Sequence, residues 1–328
     1  MKKCLQFSVF ILTLFSSQLF AADVYLSPSG DDANDGSSIS HPVATLPYAV
    51  QLAQNYFKHD AHEVRIFVQP GTYDSQGIII NIDQDFGKLS IIGMSNNPSS
   101  FPVFDGSGGS MTWLTLKGSK GTDTGLIIQG LQIKNYFTAI SLEGNRDDPR
   151  LNNSGTVIRR NIFRNIGSIA SIDINQDSTA AIRLVNSKNN LIESNYFQSI
   201  RNKKSCGLLH SIYVAHFSSG NHISNNTFND VCGSAIKLRD QSNNNIIRSN
   251  KFSHLENVPA IEEWFCDMAT HKECTKKLGE CPSTGNLQQG NFISNSGASP
   301  LISIIGSRVP RPWCMQDDFV RERVTAGQ

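Results

Sequence analysis

One short phrase recurs through the second half of the chain, and it restricts the fold more than any other feature. Residues 157–166 (VIRRNIFRNI), 191–200 (LIESNYFQSI), 222–231 (HISNNTFNDV) and 246–255 (IIRSNKFSHL) share the order aliphatic-x-x-Asn-x-Phe. Residues 291–297 (NFISNSG) read as a degraded copy. A second phrase alternates with the first: AISL at 139–142, AIRL at 181–184, SIYV at 211–214, AIKL at 235–238 and AIEE at 260–263. Ile212 and Ile236 are 24 residues apart and Ile236 and Ile261 are 25 apart, a step suited to one turn of a solenoid. Strands of three to five residues between Asn, Ser and Gly turns cannot bury a core singly, but stacked coils share one. Helical repeats would need long stretches of 3.6-residue periodicity, and these are absent.

The expected fold is therefore all-β, a right-handed parallel β-helix. Asn161, Asn195, Asn226 and Asn250 fall at equivalent places, where their amides would hydrogen-bond from coil to coil. Phe163, Phe197, Phe228 and Phe252 should stack inside. Residues 46–57 carry Ala49, Val50, Leu52, Ala53, Tyr56 and Phe57 at helical spacing, which predicts an N-terminal amphipathic helix capping the first coil.

The start of the chain reads as a signal peptide over residues 1–22: Lys2 and Lys3, an apolar run from Phe7 to Phe15, then Ala21 and Ala22. Residues 23–328 are expected to form one β-helix domain, with a cysteine-rich insertion at 264–290 and a C-terminal tail at 306–328. No stretch approaches the ~18 apolar residues of a membrane span. A secreted or periplasmic monomer follows. With 29 basic and 28 acidic residues and a net charge of +1, nothing points to nucleic acid or an anionic membrane as partner.

Export also decides how the cysteines read. Cys4 leaves with the signal, and six remain: Cys206, Cys232, Cys266, Cys274, Cys281 and Cys314. Cys266, His271, Cys274 and Cys281 could offer zinc its usual ligands, but their spacing matches no familiar zinc pattern, so three disulfides are expected. Cys206 and Cys232 are 26 residues apart, close to one coil, and should pair with each other.

Residues 25–53 (YLSPSGDDANDGSSISHPVATLPYAVQLA) with 66–73 (IFVQPGTY) resemble the opening of pectate-lyase-like right-handed β-helix proteins. Many of these are secreted polysaccharide lyases or uronate epimerases. The resemblance implies an acidic polysaccharide as partner. It does not specify the reaction, since such folds also serve hydrolases and non-catalytic adhesive proteins.

Strand alternation puts Ile140, Ile182, Ile212, Ile236 and Ile261 inside and their successors outside. The outward row is then Ser141, Arg183, Tyr213, Lys237 and Glu262, with neighbours ~4.8 Å apart. A second row reads Glu143, Val185, Ala215, Arg239 and Trp264. β-Elimination across a uronic acid must neutralise a carboxylate and supply a base. Arg183, Tyr213, Lys237 and Arg239 are the catalytic candidates, and Glu262, Trp264 and His210 the substrate-binding ones, with a buried packing role the alternative for Trp264 and a structural hydrogen-bonding role the favoured alternative for His210. The bland alternative is that Arg183, Lys237 and Glu262 merely satisfy one another across strands. A hydrolase needs two carboxyls ~5–9.5 Å apart, and Glu143 and Glu262 lie too many rungs apart. Alanine at Lys237 or Arg239 is expected to leave folding nearly intact, because both positions should face solvent.

No cofactor is required by these residues. Calcium is a candidate ligand at Asp173, Asn175 and Asp177, or at residues 30–36 (GDDANDG), although Asx-rich turns account for both. The leading expectation is a secreted lyase of a uronate-containing polysaccharide. The alternatives are a non-catalytic carbohydrate-binding or adhesive protein and a uronate C5-epimerase.

Overall fold

Three short strands per coil, each set paired only with its counterparts in neighbouring coils, build a parallel β-helix in the computed structural model of the protein. The structure describes residues 20–82, 87–107, 112–168, 177–269, 272, 274, 279–304 and 314. Within them the strands form sheets of nine, eight and eight members, with a small three-stranded sheet beside them. Every strand pairing among the described residues is parallel.

The coil corners explain why so many asparagines are needed. Asn165, Asn189, Asn225 and Asn244 all adopt positive φ, which Asn tolerates better than most side chains. Inside the corners the amides chain together. Asn161 Nδ2 donates to Asn195 Oδ1 at 3.2 Å, and the pattern repeats through Asn226, Asn250 and Asn291. The same Oδ1 atoms also accept backbone N–H groups of the preceding coil. A second ladder, Asn190–Asn221–Asn245–Asn286, runs along another corner. The repeat phrase contained no hint of it, because those asparagines lie in the turns before the shared phrase.

Phe163, Phe197, Phe228 and Phe252 stack with ring centroids 4.8–4.9 Å apart, one ring per coil. A buried cluster of Tyr73, Phe104 and Trp113 does similar work in the earlier coils. One hydrophobic cluster runs from Ala22 to Ile261 and includes Leu46, Ala49, Val50, Ala53 and Phe57 of the helix Leu46–Lys58. Thr45 caps that helix by accepting from Tyr48 N–H, and its hydroxyl donates to Asp32.

The third sheet carries the rows of interest on strands Thr138–Glu143, Ala180–Val185, His210–Ala215, Ile236–Arg239 and Ile261–Trp264. The register is Ser141↔Arg183↔Tyr213↔Lys237↔Glu262, beside Glu143↔Val185↔Ala215↔Arg239↔Trp264. Alternation dictates this: a slip of one residue would bury Lys237 and expose Leu238. Pairing persists at Glu263, which points inward yet accepts a hydrogen bond from Gln288 Nε2 at 2.8 Å.

Three disulfides are formed: Cys206–Cys232, Cys266–Cys274 and Cys281–Cys314, with Cα separations of 5.1, 5.3 and 5.8 Å. No helix among the described residues is long and apolar enough to cross a membrane.

Candidate functional site

The outward rows behave differently at their two ends. Toward the N-terminus the first row presents Thr115 and Ser141, which are uncharged, and from Arg183 onward its positions are charged or aromatic; the second row runs Lys117, Glu143, Val185, Ala215 before reaching Arg239 and Trp264. Arg183 Nη1 lies 3.3 Å from Glu143 Oε1, so the arginine reaches back one rung and across one row. Lys237 Nζ lies 3.3 Å from Glu262 Oε1 on the next rung. Arg239 donates through Nε to Glu280 at 2.7 Å, and its Nη1 reaches the Tyr213 hydroxyl at 3.4 Å. The Trp264 ring closes the group, with Arg239 Cζ 4.3 Å and Lys237 Nζ 5.3 Å from its centroid.

This grouping is covered, contrary to the solvent-facing positions expected from the alternation. The side chains of Lys237 and Glu262 are only 14% and 12% exposed, and Glu280 is 4% exposed. Alternation settles which side of the sheet a residue leaves from; it says nothing about what folds over that side. Trp264 lies over Lys237 and Arg239, and Glu280 lies against Arg239. The strand ends at Trp264, the Cys266–Cys274 disulfide closes a tight loop, and Glu280 exchanges hydrogen bonds with Cys266. Glu280 thereby arrives over Arg239. Alanine at Lys237 or Arg239 would leave a largely buried carboxylate without its cation, so the premise of solvent-facing positions is replaced by one that predicts a loss of stability.

Burial also sets the protonation tendencies. Desolvation pulls the Lys237 ammonium below its usual value, Arg239 adding to this while Glu262 opposes it. Burial pushes the Tyr213 phenol up, with Arg239 opposing. Tyr213 is thus held as a proton donor, and Lys237 has the more accessible neutral amine.

His210 sits beneath this face. It is 3% exposed, its Nδ1 lies 2.8 Å from Ser234 O, and its ring stacks on Tyr213 at 5.6 Å. Burial first, then the positive charges of Lys237 and Arg239, push its pKa down to about 3, so it is a neutral ring supporting Tyr213. Of the two readings of His210, the buried ring agrees with the structural hydrogen-bonding one rather than with contact to substrate. A strand-initial histidine carries no sequence sign of whether a neighbouring turn closes over it.

The carboxylates of residues 30–36 are engaged locally: Asp31 accepts from Ala33 N–H, Asp35 from Ser37, and Asp32 from Ala44, Thr45 N–H and the Thr45 hydroxyl. Asp173 and Asn175 lie outside the described residues, as does His271; Asp177 is within them and half-buried.

Sequence reasoning missed Glu280, Arg146, His216 and Asp240. Arg146, just after the Glu143 strand, adds positive potential at Tyr213. His216 and Asp240 each follow the second outward row by one position, so the 24-residue spacing that located Lys237 would have located them too. Glu280 lies in the insertion, where no repeat exists to count from.

No family model matches the chain, and no curated protein matches it. Among solved structures, pectate lyase Pel9A is similar over 88% of this chain and 78% of its own, with 12% identity and a TM-score of 0.44. Alginate lyase from Paenibacillus sp. str. FPU-7 is similar over 78% of this chain and 89% of its own, with 13% identity and a TM-score of 0.41. The catalytic domain of an alpha-1,3-glucanase in complex with nigerose gives 12% identity and a TM-score of 0.46, and this chain spans 43% of it.

Proposed function

We propose that the protein is an exported lyase that cleaves a uronate-containing polysaccharide by β-elimination. The observation that carries this reading is the contact of Tyr213 with Arg239 beside Lys237 on successive rungs. Elimination removes the proton beside a carboxylate, then expels the glycosidic oxygen. Lys237, whose ammonium is destabilised by burial, serves as base. Tyr213, held in its protonated form, donates to the leaving oxygen. Arg239 and Arg183 supply the positive charge that stabilises the enolate-like carboxylate as it develops. Trp264 offers a ring face for a sugar, and the helix Leu46–Lys58 serves as the cover of the first coil.

A second reading has one specific observation in its favour. Arg183, Lys237 and Arg239 each already hold a carboxylate partner, which suits a surface that binds carbohydrate without transforming it. Incubation with pectate, alginate and glycosaminoglycans, following the ultraviolet absorbance of newly formed unsaturated uronate ends, separates the two. Unsaturated ends on one of these polymers support the lyase. Saturable binding without any such ends overturns it in favour of the binding protein.

A further inference from the structure

The basic side chains of this protein differ from face to face. On the third sheet Arg183, Lys237 and Arg239 each hold a carboxylate. The corner where the nine-stranded sheet turns into the next sheet of the coil is different. One rung there carries Arg159, Arg160 and Arg164, across strands Val157–Arg159 and Ile162–Ile166. Three rungs further along, strands Ile246–Arg248 and Lys251–Leu255 bring Arg248 and Lys251. Register puts the two rungs in line: Arg159↔Glu193↔Ser224↔Arg248 on one side of the corner, Ile162↔Tyr196↔Thr227↔Lys251 on the other. At a strand spacing of ~4.8 Å they lie about 14 Å apart along the solenoid.

Two observations set this corner apart. Arg160, Arg164, Arg248 and Lys251 are exposed, and their side chains have no hydrogen-bonded or ion-paired partner among the described residues. Arg159 Nε donates to Gln129 Oε1 at 2.6 Å, and not to Glu193, its in-register neighbour and the one carboxylate on these outward positions. The cations bordering the corner are neutralised, Lys134 by Asp105 at 2.9 Å and Arg201 by Asp230 and Glu256. Lack of partners is therefore local to the corner. The second observation is the backbone of Arg160, with φ of 54°. Gly130, Ser194, Asn225 and Ser249 hold the equivalent places in other coils, all with positive φ. A long side chain is uncommon in that conformation, and the turn itself gives no reason for one.

We propose that this corner is a second binding surface, on which an anionic polysaccharide chain lies along the solenoid axis, apart from the third sheet. A compact anion meets one basic rung; a chain with charge at regular intervals meets both. The rungs between them present Tyr196, Asn225 and Thr227, whose hydroxyl and amide groups suit a sugar. One aromatic ring is too little for the successive base stacking by which single-stranded nucleic acid is held. The choice of a polysaccharide rests on the acidic polymer proposed above as substrate, whereas the choice of an anion rests on the unpaired cations alone. Holding one polymer at two places raises the concentration of chain at the third sheet without any new contact there.

The test is the binding of fluorescently labelled pectate, alginate and hyaluronan, with dextran as the neutral control. It uses the oxidised full-length protein carrying Tyr213→Phe, so that cleavage does not erode the probe. Arg160→Ala, Arg164→Ala, Arg248→Ala and Lys251→Ala are then combined in it; all four residues are exposed, so folding should change little. The expected result is salt-sensitive binding of an acidic polymer and none of dextran. The combined variant should bind at least ~10-fold more weakly, with a logarithmic salt dependence shallower by about 3, at ~0.7 for each charge removed. Bound polymer should also protect Lys251 from amine acylation, a readout that needs none of the four substitutions. The proposal is overturned by absence of salt-sensitive binding to all three acidic polymers, by unchanged affinity and salt dependence in the folded combined variant, or by unaltered acylation of Lys251. Tighter binding of single-stranded DNA than of any acidic polysaccharide overturns it as well. Unsaturated ends are not the readout, so a failed lyase assay leaves this outcome as it stands.

Discussion

Two buried polar systems run along this solenoid, and they differ in kind. The asparagine ladders are neutral and repeat with every coil, each amide accepting from the coil before and donating to the coil after. The group around Arg239, Glu280, Asp240 and His216 is charged, occurs once among the described residues, and depends on a segment outside the repeat. A repeating neutral ladder saturates its own hydrogen bonds and needs nothing else. A charged group without neighbouring copies must be compensated locally, as Arg239 is against Glu280 and Asp240 against His216. The difference teaches where to look for function on a repetitive fold: at the charged positions that the repeat does not reproduce.

The contrast breaks most visibly at Arg239. Arg239→Ala leaves Glu280 buried without its guanidinium and is expected to cost about 3–5 kcal/mol, read as a shift in the denaturant midpoint. A shift below about 1 kcal/mol would mean that Glu280 is not held as described. Asn226→Ala interrupts the ladder instead, removing the acceptor for Asn195 and the donor to Asn250 and Ile192 O. It should cost less, about 1–3 kcal/mol, since neutral groups are cheaper to strand than charged ones. Equal losses in the two variants would erase the distinction.

The smallest expected effect is a displacement of the pH–rate profile. The neutral amine of Lys237 is the base, so elimination should rise with pH and level off through a midpoint below the lysine reference of 10.5. Glu262 favours the ammonium, so Glu262→Gln should move that limb to lower pH. Movement to higher pH, or none, would remove Lys237 from the role of base.

How much of this was legible in the sequence follows from the same contrast. The coils, the phenylalanine stack, the register of the outward rows and the Cys206–Cys232 pair all follow from spacing, because a repeat forces equivalent residues into contact. Asp240 and His216 were one step away from that reasoning, as they share the spacing and differ only in lying past the strand end. Glu280 and the burial of Lys237 were not legible. Both depend on which side chains come to lie against Arg239 and Lys237, Glu280 among them, and no periodicity encodes that placement.

The most direct test of the central claim, that the unrepeated face does chemistry, is the initial rate of unsaturated-end formation by Tyr213→Phe against wild type on the polymer that wild type cleaves. Phenylalanine keeps the ring that stacks on His210 and removes only the hydroxyl that meets Arg239. The expected result is a folded protein whose rate has fallen at least ~100-fold, the scale of losing an acid–base group. A folded Tyr213→Phe protein that cleaves at the wild-type rate would contradict it.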